Sequence, residues 1–217
     1  MRLHGYYRSS TSYRLRIALN LKGLDFEQVP VNLLKSEQSG EAYRARNPFG
    51  SVPLLEAGGR DRVQSMAILE WLEEAHPTPA LLPEEAEKRY EVRELTYAIA
   101  TELHAPLNLA VLKYLKTELG QSQDAIDTYY RHFLARTLGP VEQRLALLGA
   151  GDFLTDAPGL FEVVLVPQLY NARRFGFDLS GMPHILRIDE ACSALPEFVR
   201  AHPNNQPDSP DNKQENP

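Results

Sequence analysis

The sequence predicts two domains of different class, a small α/β domain followed by an all-helical domain. Over the first 76 residues the hydrophobic period changes repeatedly, whereas from residue 85 to residue 194 it stays helical. Between these regions, the eight residues 76–83 include three prolines. A segment so rich in proline cannot continue a helix, so we expect a semi-rigid linker there.

The same features predict where the domains begin and end. We expect an α/β domain at residues 1–78, a helical domain at 85–203 and a polar tail at 204–217. The tail consists largely of Pro, Asn, Gln, Asp and Ser, and it has too few apolar residues to fold alone. We therefore expect it to lie on the surface or to be disordered.

The α/β domain is expected to contain seven elements in the order strand, helix, strand, helix, strand, strand, helix. They are a strand at 2–7, a helix at 12–22, a strand at 26–31, a short helix ending at 46, strands at 51–55 and near 63 around a hairpin turn at 58–61, and a helix from Ser65. A βαβ unit followed by a ββα unit is the thioredoxin-like arrangement, built on a small mixed sheet.

The second domain is expected to be all α. Its helical segments are residues 85–116, 125–148, 159–175 and 183–194. In 125–148 the apolar residues form a single stripe. Gly139 and Pro140 lie within that stripe and are expected to kink the helix.

The composition argues against several classes of protein. There is no run of 18 apolar residues, so no membrane-spanning helix is expected, and the N-terminal residues show no signal-peptide pattern. The net charge of −6 argues against nucleic acid as the main partner. The six histidines lack metal-binding spacing, and we expect no metal. Cys192 is the single cysteine and lies on an apolar segment, which indicates a buried structural thiol in a reducing cytoplasm.

Hydroxyl side chains cluster between the first strand and the first helix. Ser9, Ser10, Thr11 and Ser12 lie next to the free N–H groups and the positive dipole end of that helix. Such a position stabilises an anion, and one hydroxyl donor together with the dipole lowers a thiol pKa enough to ionise it near neutral pH. The alternative is that these residues only cap the helix.

Two further signals follow along the chain. Val52-Pro53 opens a strand, where a proline in a thioredoxin-like order is commonly cis and leaves the backbone of Val52 available to an extended peptide ligand. Gln64 and Ser65 open the next helix, where N–H and hydroxyl groups suit a carboxylate. The structural alternatives are an edge proline and an N-cap.

Each of the three motifs lies in a longer pattern that resembles one family. Residues 9–19, SSTSYRLRIAL, resemble SSCSxRVRIAL, residues 47–53 resemble NPxxxVP, and residues 64–74 resemble QSxAIxE[YW]LEE. These are patterns of the zeta-class glutathione transferases, the family of maleylacetoacetate isomerases. The LVPQ at 165–168, the stretch 171–175 and the segment 202–208 are similar to its downstream motifs, so the resemblance spans residues 2 to about 210.

The resemblance implies a glutathione transferase fold, glutathione as cofactor, and a homodimer. It implies these glutathione-binding residues: Ser9, Ser10, Thr11, Ser12, Tyr13, Arg14, Val52, Gln64, Ser65, His104 and Asn108. For the hydroxyl that faces the thiolate, the catalytic candidates are Ser9, then Ser10, then Thr11. Arg8 and Arg174 are candidates for substrate carboxylates, because a guanidinium pairs with a carboxylate through two hydrogen bonds. Arg173 is expected to be solvated.

The activity that the resemblance implies is cis–trans isomerisation of a maleyl acid. The first candidate substrate is maleylacetoacetate, from tyrosine breakdown, and the second is maleylpyruvate, from gentisate breakdown. The glutathione thiolate adds to the conjugated double bond, the new single bond rotates, and elimination regenerates glutathione. The alternatives are a general glutathione transferase or dehalogenase of small α-halo acids, and a non-enzymatic binding module on the same fold.

Three departures from the family patterns concern the site and its support. Thr11 replaces the usual cysteine. Gly159 and Glu162 replace the Ser/Thr and Asp that open the helix before LVPQ, although glycine caps well and Glu can replace Asp. Pro106 is shifted by one position after His104. Tyrosines 6, 7 and 13 offer a phenol as a competing thiol activator, but we expect them to pack.

Overall fold

The computed structural model describes residues 1–210 and 212. Contacts divide the chain into two compact units: unit 1 comprises Met1–Leu81 with the described residues from Ser193 onward, and unit 2 comprises Leu82–Cys192. In chain order the elements are β1 (Arg2–Gly5), α1 (Ser10–Leu21), β2 (Glu27–Pro30), α2 (Glu41–Arg46), β3 (Leu54–Ala57), β4 (Arg60–Val63), α3 (Ser65–Ala75), α4 (Ala86–Tyr97), α5 (Leu109–Thr117), α6 (Gln123–Leu148), α7 (Leu160–Arg174), α8 (Pro183–Ser193) and α9 (Pro196–Ala201).

Unit 1 is built on a four-stranded mixed sheet. The strand order is β2-β1-β3-β4. β1 runs parallel to β2 and antiparallel to β3, and β3 and β4 form an antiparallel hairpin. The predicted thioredoxin-like arrangement is therefore confirmed. Because β1 pairs with β3, residues near the N-terminus lie beside residues about 50 positions later in the chain.

Helix α1 is the central helix of unit 1. It contacts both α3 and α9, and Leu15, Ile17 and Leu19 have no exposed surface. Just after the helix, the buried Lys22 Nζ donates to Glu73 Oε2 at 2.8 Å and to two carbonyl oxygens, those of His76 at 2.7 Å and Pro79 at 2.9 Å. This side chain ties the end of α1 to the end of α3 and to the linker.

Unit 2 is helical, but its first segment is not the single helix that was expected at 85–116. α4 continues into a π-helical turn at Ala98–His104, and α5 starts afresh at Leu109. Pro106 lies in the break, where its missing N–H and its ring oppose helix continuation. The helix predicted at 125–148 is present as α6, which contains Pro140.

Glu162 replaces most of the missing cap at the start of α7. Gly159 is the N-cap residue and has no side chain to offer, but its N–H donates to Glu162 Oε2 at 2.8 Å. The other carboxylate oxygen accepts from Leu154 N at 2.8 Å. Glu162 therefore holds both the helix start and the loop before it. In the described part of the chain, no helix is both long enough and apolar enough to cross a membrane.

The C-terminal segment differs from the expected polar tail. α9 and residues 202–210 belong to unit 1, so the helical unit does not extend to residue 203. A 3₁₀ turn at Pro203–Asn205 follows α9, and both Gln206 and Ser209 are fully buried. The expectation rested on low apolar content, whereas hydrogen bonds hold this segment. Residues 211 and 213–217 of the expected tail lie outside the described residues.

Candidate active site

Ser9 caps α1. Its backbone is extended, at φ −67° and ψ 121°, and its Oγ accepts a hydrogen bond from Ser12 N at 3.2 Å. The structural alternative for the hydroxyl cluster is thus present in the fold. It does not exclude the anion site, because a hydroxyl that accepts one hydrogen bond keeps its own proton to donate.

A short hydroxyl chain connects this cap to the residue before β3. Ser9 Oγ and Thr11 Oγ1 lie 2.9 Å apart, and Thr11 Oγ1 donates to the Val52 carbonyl oxygen at 2.9 Å. A carbonyl only accepts, so the Thr11 proton is directed at Val52 and the Ser9 proton at Thr11. To donate to a thiolate, Ser9 must turn its proton away from Thr11.

The remaining candidates on α1 lie deeper in unit 1. Ser10 is buried at the first helical position. The side chain of Ser12 is fully buried and accepts from Tyr6 N at 3.4 Å. Tyr13 is 3% and Arg14 1% exposed. The structure therefore places Ser9 and Thr11 at the accessible edge of the loop, and it does not bring the other predicted side chains there.

Val52 is held by the loop that precedes it. The Ser51 carbonyl oxygen accepts from Asn47 Nδ2 at 2.6 Å and from Tyr43 Oη at 2.8 Å. The Val52-Pro53 peptide bond is cis, as the sequence predicts. The position of Val52 is thus set by the buried Asn47 and by the hydrogen bond from Thr11.

The start of α3 has the features of an anion site. Gln64 adopts a positive φ of 69°, which is uncommon for a residue with a side chain, and Ser65 begins the helix. No acidic residue lies in the first turn of α3, so the positive end of the helix dipole is not neutralised there. From α1, Arg14 Nη1 donates to Ser65 Oγ at 3.3 Å.

Arg14 is a buried cation that lacks a counter-ion. Among the described residues, Nε and Nη2 have no hydrogen-bond partner, and no carboxylate lies within ion-pair distance. Burial lowers the pKa of Arg14 to about 9, which leaves the guanidinium charged at neutral pH. Burying an unpaired charge costs several kcal/mol. The Ser65 hydroxyl accepts from this cation and can donate its own proton to an anion.

In unit 2, two predicted residues, His104 and Arg174, belong to one hydrogen-bonded row. His104 ends the π-helical turn, and its Nδ1 lies 3.4 Å from Gln168 Nε2. Asn171 Nδ2 donates to Gln168 Oε1 at 3.5 Å, and Arg174 Nη1 donates to Asn171 Oδ1 at 3.4 Å. Because the three α7 residues are spaced by three, they share one face of the helix.

Gln168 and Asn171 connect His104 to Arg174, and the sequence reasoning gave neither of them a role. Both are buried, at 1% and 9% exposed, in a helix whose other buried residues are mostly apolar. The spacing of Gln168, Asn171 and Arg174 was a readable signal, since polar residues on one face of an apolar helix are usually hydrogen-bonded.

The other predicted residues have local roles in the structure. Asn108 caps α5, with its Oδ1 accepting from Val111 N at 3.1 Å. Arg8 is half-buried, and its guanidinium lies 5.9 Å from the centre of the Tyr7 ring. Arg173, expected to be solvated, is exposed, and it also forms an ion pair with the buried Asp189.

Known proteins resemble this chain over almost its whole length. Residues 3–80 match the family model Glutathione S-transferase, N-terminal domain. A maleylpyruvate isomerase from Ralstonia sp is 42% identical over 212 residues, covering 96% of this chain and 100% of the relative. A maleylacetoacetate isomerase from Pseudomonas aeruginosa is 43% identical over 214 residues, covering 97% and 99%.

Solved structures agree with the sequence comparison. The holo structure of a maleylpyruvate isomerase, a bacterial glutathione S-transferase of the zeta class, has a TM-score of 0.92 at 42% identity and covers 96% of this chain and 100% of that one. The chain belongs to the zeta class. A second similar structure is the maleylacetoacetate isomerase from Anaeromyxobacter dehalogenans with glutathione bound in its active site, at a TM-score of 0.85 and 47% identity, covering 96% of this chain and 97% of that one.

In this zeta-class chain, burial disfavours ionisation of two groups that could compete with the hydroxyl cluster, the Tyr6 phenol and the Cys192 thiol. Burial first, and then a hydrogen bond with Tyr7, raises the pKa of the Tyr6 phenol to about 12, so it is protonated at neutral pH. Burial, together with the charges of Glu162 and Asp189, raises the pKa of the Cys192 thiol far above its ordinary value. Cys192 is therefore the buried structural thiol that the sequence predicts. In the part of the chain that the structure describes, no His, Cys, Asp or Glu group could hold a metal.

Proposed function

We propose that this chain is a glutathione-dependent cis–trans isomerase of a maleyl acid, with maleylacetoacetate as the first candidate and maleylpyruvate as the second. The observation that carries the proposal is the arrangement in unit 1. Two hydrogen bonds link α1 to the other parts of the site. Thr11 at the start of α1 bonds the backbone of Val52, and Arg14 of α1 bonds Ser65 at the start of α3. Zeta-class membership supports the same reading.

Glutathione fits this arrangement as an extended peptide with a carboxylate at one end and a thiol in the middle. When bound, it supplies a thiolate that adds to the conjugated double bond of the acid and leaves after rotation about the resulting single bond. The residues of this chain have to bind the peptide, keep the thiol ionised and orient the acid. No metal or redox step is needed, because the thiolate is both the nucleophile and the leaving group.

We assign the thiolate contact to Ser9. Its Oγ lies at the start of α1, where the helix dipole favours negative charge, and its cap bond from Ser12 N fixes the oxygen without using its proton. Thr11 is the resting acceptor of that proton. The hydroxyl therefore exchanges one hydrogen-bond partner for another when the thiolate binds, at little cost in hydrogen bonds.

We assign the γ-glutamyl carboxylate to the start of α3. Ser65 would offer its N–H and its hydroxyl, and Gln64 would offer its amide. Arg14 would contribute indirectly. Its guanidinium donates to the Ser65 hydroxyl, and that hydroxyl would donate to the carboxylate. The missing counter-ion of Arg14 would then be supplied by the cofactor itself.

Arg8 in unit 1 and Arg174 in unit 2 are each a candidate for holding a carboxylate of the substrate. Arg174 is exposed, and its Nη1 donates to Asn171 Oδ1 on the α7 face described above. Arg8 directly precedes Ser9. A guanidinium can hold a carboxylate in a fixed orientation through two hydrogen bonds. It can also stabilise negative charge that develops on the acid.

The test is to incubate the purified chain with each maleyl acid, with and without glutathione, and to follow the loss of the cis-enol absorbance. We expect glutathione-dependent formation of the fumaryl isomer, with glutathione concentration unchanged at the end. The ratio of kcat/KM for the two acids decides between them. If neither acid turns over while α-halo acids consume glutathione, the chain is a transferase or dehalogenase instead.

We further propose a homodimer in a reducing cytoplasm, with tyrosine catabolism as the context for a maleylacetoacetate isomerase. The single cysteine, buried and without a disulfide, is compatible with that compartment. Light scattering on a size-exclusion column tests the dimer, and fractionation of the producing cell tests the location.

A further inference from the structure

The segment after α9 is anchored by its polar side chains. The buried Gln206 donates from Nε2 to the carbonyl oxygens of Arg200, at 2.9 Å, and His202, at 2.6 Å. Its Oε1 accepts from Gln28 Nε2 on β2 at 2.6 Å. A side chain with three hydrogen bonds and no exposed surface is a fixed point. The residues just after Gln206 therefore have a defined position against the sheet.

Asp208 extends from this fixed point to the loop between β1 and α1. Its Oδ2 accepts a hydrogen bond from Tyr7 N at 2.9 Å, across 201 positions of sequence. Tyr7 lies two residues before Ser9, in the turn where Ser9 N donates to Tyr6 O at 3.0 Å. A carboxylate on a backbone N–H forms a charge-assisted hydrogen bond, which is stronger than a neutral one.

The other backbone group of Tyr7 is also tied to the C-terminal segment. Arg16 Nη2 donates to Tyr7 O at 2.8 Å, while its Nε donates to Ala201 O at 2.9 Å, at the end of α9. Both the N–H and the C=O of Tyr7 are thus held by groups that depend on residues 201–208. The loop that carries Arg8 and Ser9 is therefore braced by the other end of the chain.

We propose that Asp208 is a positioning residue for the thiolate site, acting through Tyr7 on the loop that presents Ser9. The inference rests on the proposed function, in which Ser9 faces the thiolate. A hydroxyl and a helix dipole stabilise an anion only at hydrogen-bond distance. A displacement of the hydroxyl by about 1 Å can therefore lower the reaction rate about a hundredfold. Fixing Tyr7 fixes that distance.

Two variants of Asp208 separate position from charge. In D208N the amide oxygen still accepts from Tyr7 N, while D208A removes the acceptor. A carboxylate that acted only through its negative charge would raise the pKa of a nearby thiol, so both variants would lower that pKa. A positioning role predicts a different pattern: D208A raises the pKa of bound glutathione, because the loop relaxes, and D208N does not raise it.

The experiment titrates the thiolate absorbance of glutathione bound to the full chain and measures kcat and KM with the maleyl acid. We expect kcat/KM to fall about tenfold or more in D208A and to stay within about threefold in D208N. D25N is the matched control, because Asp25 is exposed in the same unit and its side chain bonds no described residue. A folded D208A with the parent's thiol titration and kcat would overturn the proposal.

If D208A does not fold, D208E replaces it. Its carboxylate is one methylene longer and must displace Tyr7 N, so the thiol pKa should again rise and kcat/KM should again fall. An unchanged thiol titration and kcat in folded D208E would equally overturn the inference. Failure of the proposed function is seen separately, as a parent chain that shows no glutathione thiolate and no turnover of either acid.

Discussion

Arg14 lies within α1 and Lys22 is the residue that caps its C-terminal end, and unit 1 buries these two cations with opposite sets of partners. Lys22 follows the C-terminal end of α1 and has three hydrogen bonds, one of them to the carboxylate of Glu73. Arg14 lies near the other end, and within the described residues its guanidinium hydrogen-bonds through Nη1 to the Ser65 hydroxyl, while Nε and Nη2 have no hydrogen-bond partner. A buried cation with its full set of partners holds the fold together. A buried cation without a counter-ion costs stability, which is why we propose that the carboxylate of glutathione is its partner.

The largest expected effect concerns the Lys22 end. K22M removes one partner of a buried ion pair. Glu73 keeps its hydrogen bonds from Leu81 N but loses the ammonium group, and the carbonyl oxygens of His76 and Pro79 lose the same donor. We expect the free energy of unfolding in denaturant to fall by about 3 kcal/mol. K35M, at an exposed position, is the control and should change little. The affinity of the folded variant for glutathione should match the parent, and a large loss of affinity would contradict the comparison.

The next effect concerns the hydroxyl chain at the Ser9 end. S9A removes the thiolate donor as well as a cap, so we expect kcat to fall about a hundredfold and stability by about 1 kcal/mol. T11V removes the resting acceptor of the Ser9 proton and the hydrogen bond to the Val52 carbonyl oxygen. We therefore expect T11V to raise the KM for glutathione, while it retains most of kcat and a thiol pKa no higher than the parent's. Steady-state rates and thiolate titration measure both. An equal loss of kcat in T11V would move the thiolate contact to Thr11.

R14M tests the unpaired cation directly. Without ligand, its free energy of unfolding should stay within about 1 kcal/mol of the parent or rise, because no ion pair is lost and a buried charge is removed. The affinity for glutathione should fall about tenfold or more, since a charged hydrogen-bond network on the carboxylate is lost. Calorimetric titration measures the affinity, with R60M on the exposed part of β4 as control. A destabilised R14M with normal affinity would reverse the assignment.

The smallest expected effect concerns His4, a third buried basic residue. Its lowered pKa favours the neutral imidazole, whose burial costs less than that of a charged group. Burial first, and then the positive charge of Arg46, lowers the pKa of His4 below 6.5. The unfolded chain therefore binds more protons than the folded one as the pH drops below 6.5, and stability is lost there. H4Q should flatten this part of the stability curve. Denaturant unfolding above and below pH 6.5 measures it, and an unchanged slope would contradict the assignment.

Much of the fold could be predicted because local patterns control it. Period changes and turn residues predict the βαβ and ββα order of unit 1, and the motif at Val52-Pro53 predicts the cis bond that is present. The helix predicted at 85–116 was wrong because apolar spacing continues across the break, whereas Pro106 and the Asn108 cap end one helix and start another. At Gly159, the Glu162 carboxylate accepts from the N-cap N–H, as the sequence expectation that Glu can replace Asp requires.

The sequence by itself determined the fold class, the family and the three short motifs of the site, because each depends on residues close together in the chain. Only the tertiary structure decided what those motifs contact. It directs the Ser9 proton at Thr11, buries Arg14 beneath Ser65, and joins His104 to Arg174 through two residues that sequence reasoning left without a role. It also showed that Asp208, in the expected polar tail, accepts a hydrogen bond from Tyr7 N. The physical reason is that a hydrogen bond between residues 7 and 208 depends on where two backbones meet, and no local pattern of hydrophobicity records that.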